Sequence, residues 1–248
     1  MKKIIILLII FILIGALGYI AWQKMDTPGG DNPPVEITPT QTETITADKV
    51  GIETVYFNNK TGNKFVQCEY PKIISFKNAY MQNNINLEIS GHIREYINEI
   101  DYKIDDQTKP EELYQYTTSY ERFNYGKYLF LVISQKIETG GIRSNEWKDI
   151  YSINVETERI VYLSEMFEVG TKFEQAIIDE ITKQAAERNI EINDGNGIHK
   201  IPQKQSFYIQ DGKLIIYFQP SFIAAEAYGD LSFEMPFTLN SQGFFEIN

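Results

Sequence analysis

Cysteine, histidine and tryptophan are scarce in this sequence: one, two and two among 248 residues. A single thiol, Cys68, makes neither an intrachain disulfide framework nor a Cys-rich metal site, and a buried, inert role suits it best. His92 and His199 fit no His-x-x-x-His or HExxH spacing, so zinc-hydrolase chemistry has no support and no metal site is expected. G-x-S-x-G, P-loop and G-x-G-x-x-G motifs are also missing, and with them any sign of a cofactor. Basic runs are lacking too. The formal net charge is −11, which disfavours a nucleic-acid partner because phosphate binding needs a basic patch. Carboxylates are plentiful. Glu138 with Glu146 or Glu226 supplies the residue types of a glycosidase pair, although nothing in the sequence shows two of them flanking a cleft.

Long apolar runs occur once. Residues 4–22, "IIILLIIFILIGALGYIAW", follow Lys2 and Lys3 and carry no charge. As a helix they span about 28 Å, close to a hydrocarbon core, and the positive-inside bias leaves residues 1–3 as a cytoplasmic stub. The competing reading is a signal peptide cleaved after Ala16-Leu17-Gly18. The apolar run continues past Gly18, which favours an uncleaved, single-pass signal anchor. No cysteine closes the run, so a lipoprotein is not expected. In either case residues 23–248 are exported. Residues 23–47 hold Pro28, Pro33, Pro34 and Pro39 and read as an extended linker lifting a domain off the membrane.

Beyond the linker, aromatic and β-branched residues dominate. "ETVYFNN" and "KFVQCEYPKI" alternate about the turn "NKTGN", predicting a hairpin that ends at Tyr70-Pro71. Met81, Ile85, Ile89, Ile93, Ile97 and Ile100 recur at helical spacing over 78–100. His92 lies beside that stripe and reads as a packed or solvated residue. "DDQTKPEE" (105–112) reads as an acidic, solvated loop. Two long strands are predicted about Asn124 to Gly126, and two more turn near Glu156 to Arg159. Phe173, Ile177, Ile181 and Ala185 mark a second helix over 167–190. "INDGNG" (192–197) fails as a calcium loop, with Gly195 one place late and no bidentate Glu after it. A hairpin about Asp211-Gly212 and a final strand complete the chain. The pattern is α+β: antiparallel sheet with two amphipathic helices, behind a transmembrane helix.

Certain phrases carry a family resemblance. "YPKI" (70–73) with Asn84-Ile85-Asn86 is similar to a first module, residues 48–110. "ETGG" (138–141), "SINVETERIVYLSEMF" (152–167) and "FYIQDGKLIIYF" (207–218) are similar to a C-terminal module, residues 111–248. Together they resemble the extracellular region of RsiV-type anti-sigma factors and the related N-terminal region of peptidoglycan deacetylases. Relatives run Phe-x-Pro-Tyr-Glu-Ile-Ala-Pro-Tyr-Ala-x-Gly where this chain has Phe218 to Gly229. Its Pro220, Ile223-Ala224 and Gly229 agree, whereas Ser221-Phe222 and Ala225-Glu226 depart. After Gly140-Gly141 the family often has Ala-His; here the chain continues with Ile142-Arg143.

The resemblance implies a non-enzymatic binding module of the bacterial envelope, with lysozyme or cell-wall glycan as the candidate partner. The departures mark a candidate contact surface: Gly140, Gly141, Ile142, Arg143, Trp147, Ser221, Phe222, Glu226 and Tyr228. A flat aromatic rim about Phe222, Tyr228, Ile142 and Trp147 is expected of such a surface. Paired carboxylates in a deep groove are expected of the alternative, a glycan-processing enzyme with an unrecognised site. With three residues ahead of the membrane, sequestering a sigma factor in the cytoplasm is not expected, and there is no room for a deacetylase's catalytic domain.

Overall fold

The computed structural model describes residues 46–107, 113–139 and 143–247. The predicted membrane helix and most of the linker lie outside them; among the described residues no helix is long and apolar enough to cross a membrane. The fold begins slightly earlier than the periodicity suggests: Ala47 is fully buried, and its N–H donates to the Gly126 carbonyl at 3.0 Å.

The main sheet has six strands in chain order: β1 (Ile52–Thr61), β2 (Lys64–Ile73), β3 (Tyr114–Tyr125), β4 (Tyr128–Thr139), β5 (Arg143–Asn154) and β6 (Arg159–Ile160). Neighbours are antiparallel with one exception. β2 and β3 run parallel, because helix α1 (Ala79–Gln107) carries the chain back across the sheet between them. The expected α+β arrangement of antiparallel sheets and two helices holds, with this one parallel pair inside the main sheet. β2 also runs through Pro71, where the sequence predicts a strand end. There β2 pairs with β1 alone, since β3 reaches only Cys68, and a missing N–H is tolerated on an unpaired edge.

Helix α1 runs to Gln107, three residues into the predicted acidic loop, before the helix-breaking Pro110. Ile85, Ile89 and Ile93 are buried against Val66, Cys68 and Ile73 of β2, together with Tyr116, Leu131 and Tyr151. Burial pushes the Cys68 thiol up to about 11. The opposite sheet face packs on a second layer: β7 (Ser206–Gln210), β8 (Lys213–Phe218) and β9 (Leu231–Met235), with helix α2 (Phe173–Glu187). The second helix thus begins six residues later than Phe167. Phe167 instead stacks on Phe173, with centroids 4.5 Å apart. Ile177, Ile181 and Ala185 are buried as their spacing predicts. A short hairpin, β10 (Phe237–Leu239) with β11 (Phe245–Ile247), ends the fold. β4 serves both layers: Leu129, Leu131 and Ile133 face α1, while Phe130 and Val132 face the C-terminal layer.

Two side chains clasp α1 to the sheet. The Asn86 carboxamide accepts from the Ile73 N–H and donates to the Ile73 carbonyl, both at 2.8 Å. Glu158, in the turn between β5 and β6, accepts from the Lys77 and Asn78 N–H groups at 2.7 Å each. Glu158 is buried and left-handed (φ 53°), a costly conformation for a non-glycine residue that the two bonds hold in place. Asn86→Ala leaves both polar groups of the buried Ile73 backbone without this partner and should cost about 2–4 kcal/mol. Urea unfolding of the variant checks this; a midpoint unchanged from the parent would refute the clasp.

Candidate binding groove along the edge of β5

The site follows from the register of β5. This strand pairs with β4 along its whole length but with β6 only at Ile153 and Asn154. Its second edge is consequently without a strand partner over residues 144–150, while the buried Ser152 already bonds Val161. In an antiparallel pair, N–H and C=O of one residue point the same way and alternate along the strand. The Lys148 N–H donates to the Tyr217 hydroxyl (2.7 Å), and the Ser152 carbonyl accepts from the Val161 N–H (2.8 Å), so even-numbered residues point outward. Among the described residues the outward N–H groups of Ser144, Glu146 and Ile150 have no hydrogen-bond partner.

Two walls flank this edge. Glu88, His92, Tyr96 and Glu99 form one stripe of α1, and residues 204–207, 219–221, 226, 229 and 230 form the opposite wall. Between them lie two cavities of about 460 and 590 Å³ that both touch Gln219, the two halves of a groove along β5. Beneath it a polar chain crosses the sheet. The Tyr116 hydroxyl donates to Gln135 Oε1, and Gln135 Nε2 donates to Asp149 Oδ2. His92 Nδ1 lies 3.9 Å from that oxygen and hydrogen-bonds the Tyr151 hydroxyl at 2.8 Å. Burial raises the Asp149 pKa above the ordinary carboxylate value, and the facing His92 and the Gln135 bond oppose the shift. Burial likewise raises Tyr116, Tyr151 and Tyr96.

Trp147 packs on Tyr96, with centroids 4.9 Å apart. Its indole N–H is buried with no hydrogen-bond partner among the described residues. On the opposite wall, Lys148 Nζ sits 3.6 Å from Asp230 and 5.7 Å from the Tyr217 ring centroid. Ser221 has φ 63°, a strained backbone at the groove wall. Among the described residues no group of three or more His, Cys, Asp or Glu side chains is placed to hold a metal ion.

The groove gathers some of the residues singled out by sequence. Trp147, Ser221 and Glu226 line it. Phe222 and Tyr228 are exposed on the same loop but outside the lining: Phe222 lies across Phe218, and the Tyr228 hydroxyl donates to the Asn189 carbonyl at 3.3 Å. Arg143 opens β5, and Gly140, Gly141 and Ile142 lie outside the described residues. The surface is a groove with carboxylates spread along its walls, in place of a flat aromatic rim. Glu138 and Glu146 do not flank a cleft as an acid–base pair: Lys136 Nζ stands between them, 2.6 and 3.4 Å away. Sequence reasoning misses the α1 stripe, although 88, 92, 96 and 99 keep helical spacing beside the isoleucines. His92, which reads from sequence as solvated or packed, is the stripe's link to β5.

Residues 164–238, which include α2 and β7 to β9, match a family described as "Protein of unknown function (DUF3298)". Two solved structures share the fold. A DUF3298 family member from Bacteroides fragilis is 11% identical with a TM-score of 0.54, and a DUF3298 family protein from Pseudomonas aeruginosa is 10% identical with a TM-score of 0.55. Each comparison covers 77% of this chain and 92% of the other. No curated protein matches the sequence. At these identities the likeness is one of fold, and it extends well beyond the matched DUF3298 segment.

Asp149 gives a pH signature. A carboxyl whose folded pKa is raised binds more protons folded than unfolded, so it lowers stability as pH climbs from its ordinary 3.8 toward the raised value. Asp149→Asn should flatten that decline, remaining near parent at low pH and gaining on it toward neutrality. Urea midpoints of both proteins at about pH 4 and about pH 7 read the difference; a variant weaker than parent at both pH values would count against a strained carboxylate.

Proposed function

We propose that the folded region is a non-enzymatic binding module displayed outside a bacterial membrane by residues 4–22 and the 23–47 linker, or released if the anchor is cleaved. A groove lined by more carboxylates than lysines carries this reading: Glu88, Glu146, Asp149, Glu226 and Asp230 face Lys148 and Lys204. All 34 acidic residues, and all but two of the 23 basic ones, lie beyond the apolar segment. A cationic protein would be steered to such a surface and held by its aromatic flank. Lysozyme, the partner implied by the resemblance to RsiV-type ectodomains, meets this description, and a wall glycan is the second candidate.

Calorimetry of the full chain with lysozyme at about 50 and about 200 mM salt tests the proposal. One-to-one, saturable heat that weakens but persists at the higher salt is expected. Phe222→Ala with Glu226→Gln should reduce that binding at least about tenfold while stability moves by only about 0.5 kcal/mol per exposed site. Heat that vanishes with salt would remove lysozyme as the partner, and variants that bind as the parent does would remove the Phe222–Glu226 loop as its site.

A further inference from the structure

We infer that the groove takes an extended, lysine- or arginine-rich segment of a partner protein, added as a strand to the open edge of β5. This deepens the binding-module reading and rests on it.

The backbone supplies the first argument. Ser144, Glu146 and Ile150 turn N–H groups without a partner among the described residues into the groove, and an unpaired edge is a template for an incoming strand. From Ser144 to Ile150 the edge is about 20 Å long, room for six or seven extended residues. The walls supply the second. A strand laid on this edge would lie between the Glu88-His92-Tyr96 stripe of α1 and the loop bearing Ser221 and Glu226, so its alternate side chains would meet different walls. Tyr96 and Trp147 offer an apolar wall on the helix side. The outer edge of β1 is open as well, but residues 56–61 are exposed on both faces and give a strand nothing to bury.

Charge selects the occupant. Glu88 and Glu226 stand on the two walls; Glu146 is shared with Lys136, and Lys148 is engaged by Asp230. An acidic segment would meet like charge, whereas a cationic one gains at each wall. The Lys148 N–H is taken by the Tyr217 hydroxyl, so pairing is interrupted once, midway along the edge. That interruption divides the incoming strand's bonds between the Ser144–Glu146 end and Ile150.

The test uses the full chain carrying Trp22→Phe, which leaves Trp147 as its only tryptophan. Three decapeptides are titrated: alternating Lys-Thr, alternating Glu-Thr, and the Lys-Thr peptide N-methylated at every second residue. The expected result is a saturable change in Trp147 emission with Lys-Thr and none with Glu-Thr. N-methylation, which keeps the charge but blocks one edge, should weaken binding at least about tenfold. Glu146→Pro removes an outward N–H from an edge position that tolerates proline and should weaken binding similarly, whereas Glu146→Gln should weaken it only a few-fold. Equal affinity for the N-methylated peptide would overturn strand addition, as would no saturation by Lys-Thr up to about 1 mM. Lysozyme titrated into the same proteins separates the two readings. Lysozyme bound equally well by parent and Glu146→Pro, with no peptide response, leaves the binding module and removes the strand. Peptide pairing without lysozyme binding supports the strand and removes lysozyme.

Discussion

The position of helix α1 depends on two side-chain-to-backbone clasps, and the groove depends on the position of α1. Buried backbone N–H groups need partners, and the helix supplies or receives them at points fixed by different strands. Asn86 holds the end of β2 through both polar groups of Ile73, while Glu158 reaches from the β5–β6 turn to the helix start. Asn78 completes the cap, its side-chain Oδ1 accepting from the Tyr80 and Met81 N–H groups at 3.1 and 3.2 Å. With Ile85, Ile89 and Ile93 buried below, the polar neighbours of that stripe can only stand beside β5. One wall of the groove is therefore a consequence of core packing.

β5 itself combines two incompatible-looking roles. Its helix-facing side chains join a buried polar chain from Tyr116 through Gln135 to Asp149, ending at Tyr151 and His92, and such networks rigidify the strand that carries them. Its outer edge is left open. The local costs cluster here: a buried carboxyl with a raised pKa, an indole N–H with no hydrogen-bond partner among the described residues, and a left-handed Ser221 on the facing loop. Departures of this kind concentrate where a fold has been shaped for something other than its own stability.

Much of the scaffold could be read from spacing. Ile85-Ile89-Ile93 and Ile177-Ile181-Ala185 mark the two helices because both pack one face on a sheet, and Asp211-Gly212 marks its hairpin because both residues need positive φ (50° and 74°). The "YPKI" and Asn-Ile-Asn phrases acquire a physical meaning as the two halves of the Asn86–Ile73 clasp. Other features were illegible for definite reasons. The parallel β2–β3 pair depends on where the helix returns the chain, which no local pattern encodes. Pro71 resembles a strand end because its unpaired side is visible only in the sheet. The groove joins Trp147 to Ser221 and Glu226 across more than seventy positions, a juxtaposition no local spacing encodes. His92 and Glu88 lack a signal of their own, since a polar residue beside an apolar stripe is ordinary until the neighbouring strand is known.

The central claim is that the β5 edge is open and bounded by the helix and the 219–230 loop. Residue-resolved amide hydrogen exchange on the free, full-length chain tests it most directly. Fast exchange at Glu146 and Ile150, alternating with protection at Trp147 and Asp149 and at the Tyr217-bonded Lys148 amide, is the predicted result. Uniform protection from 144 to 150 would contradict it, because the edge would then already be covered and there would be no groove to fill.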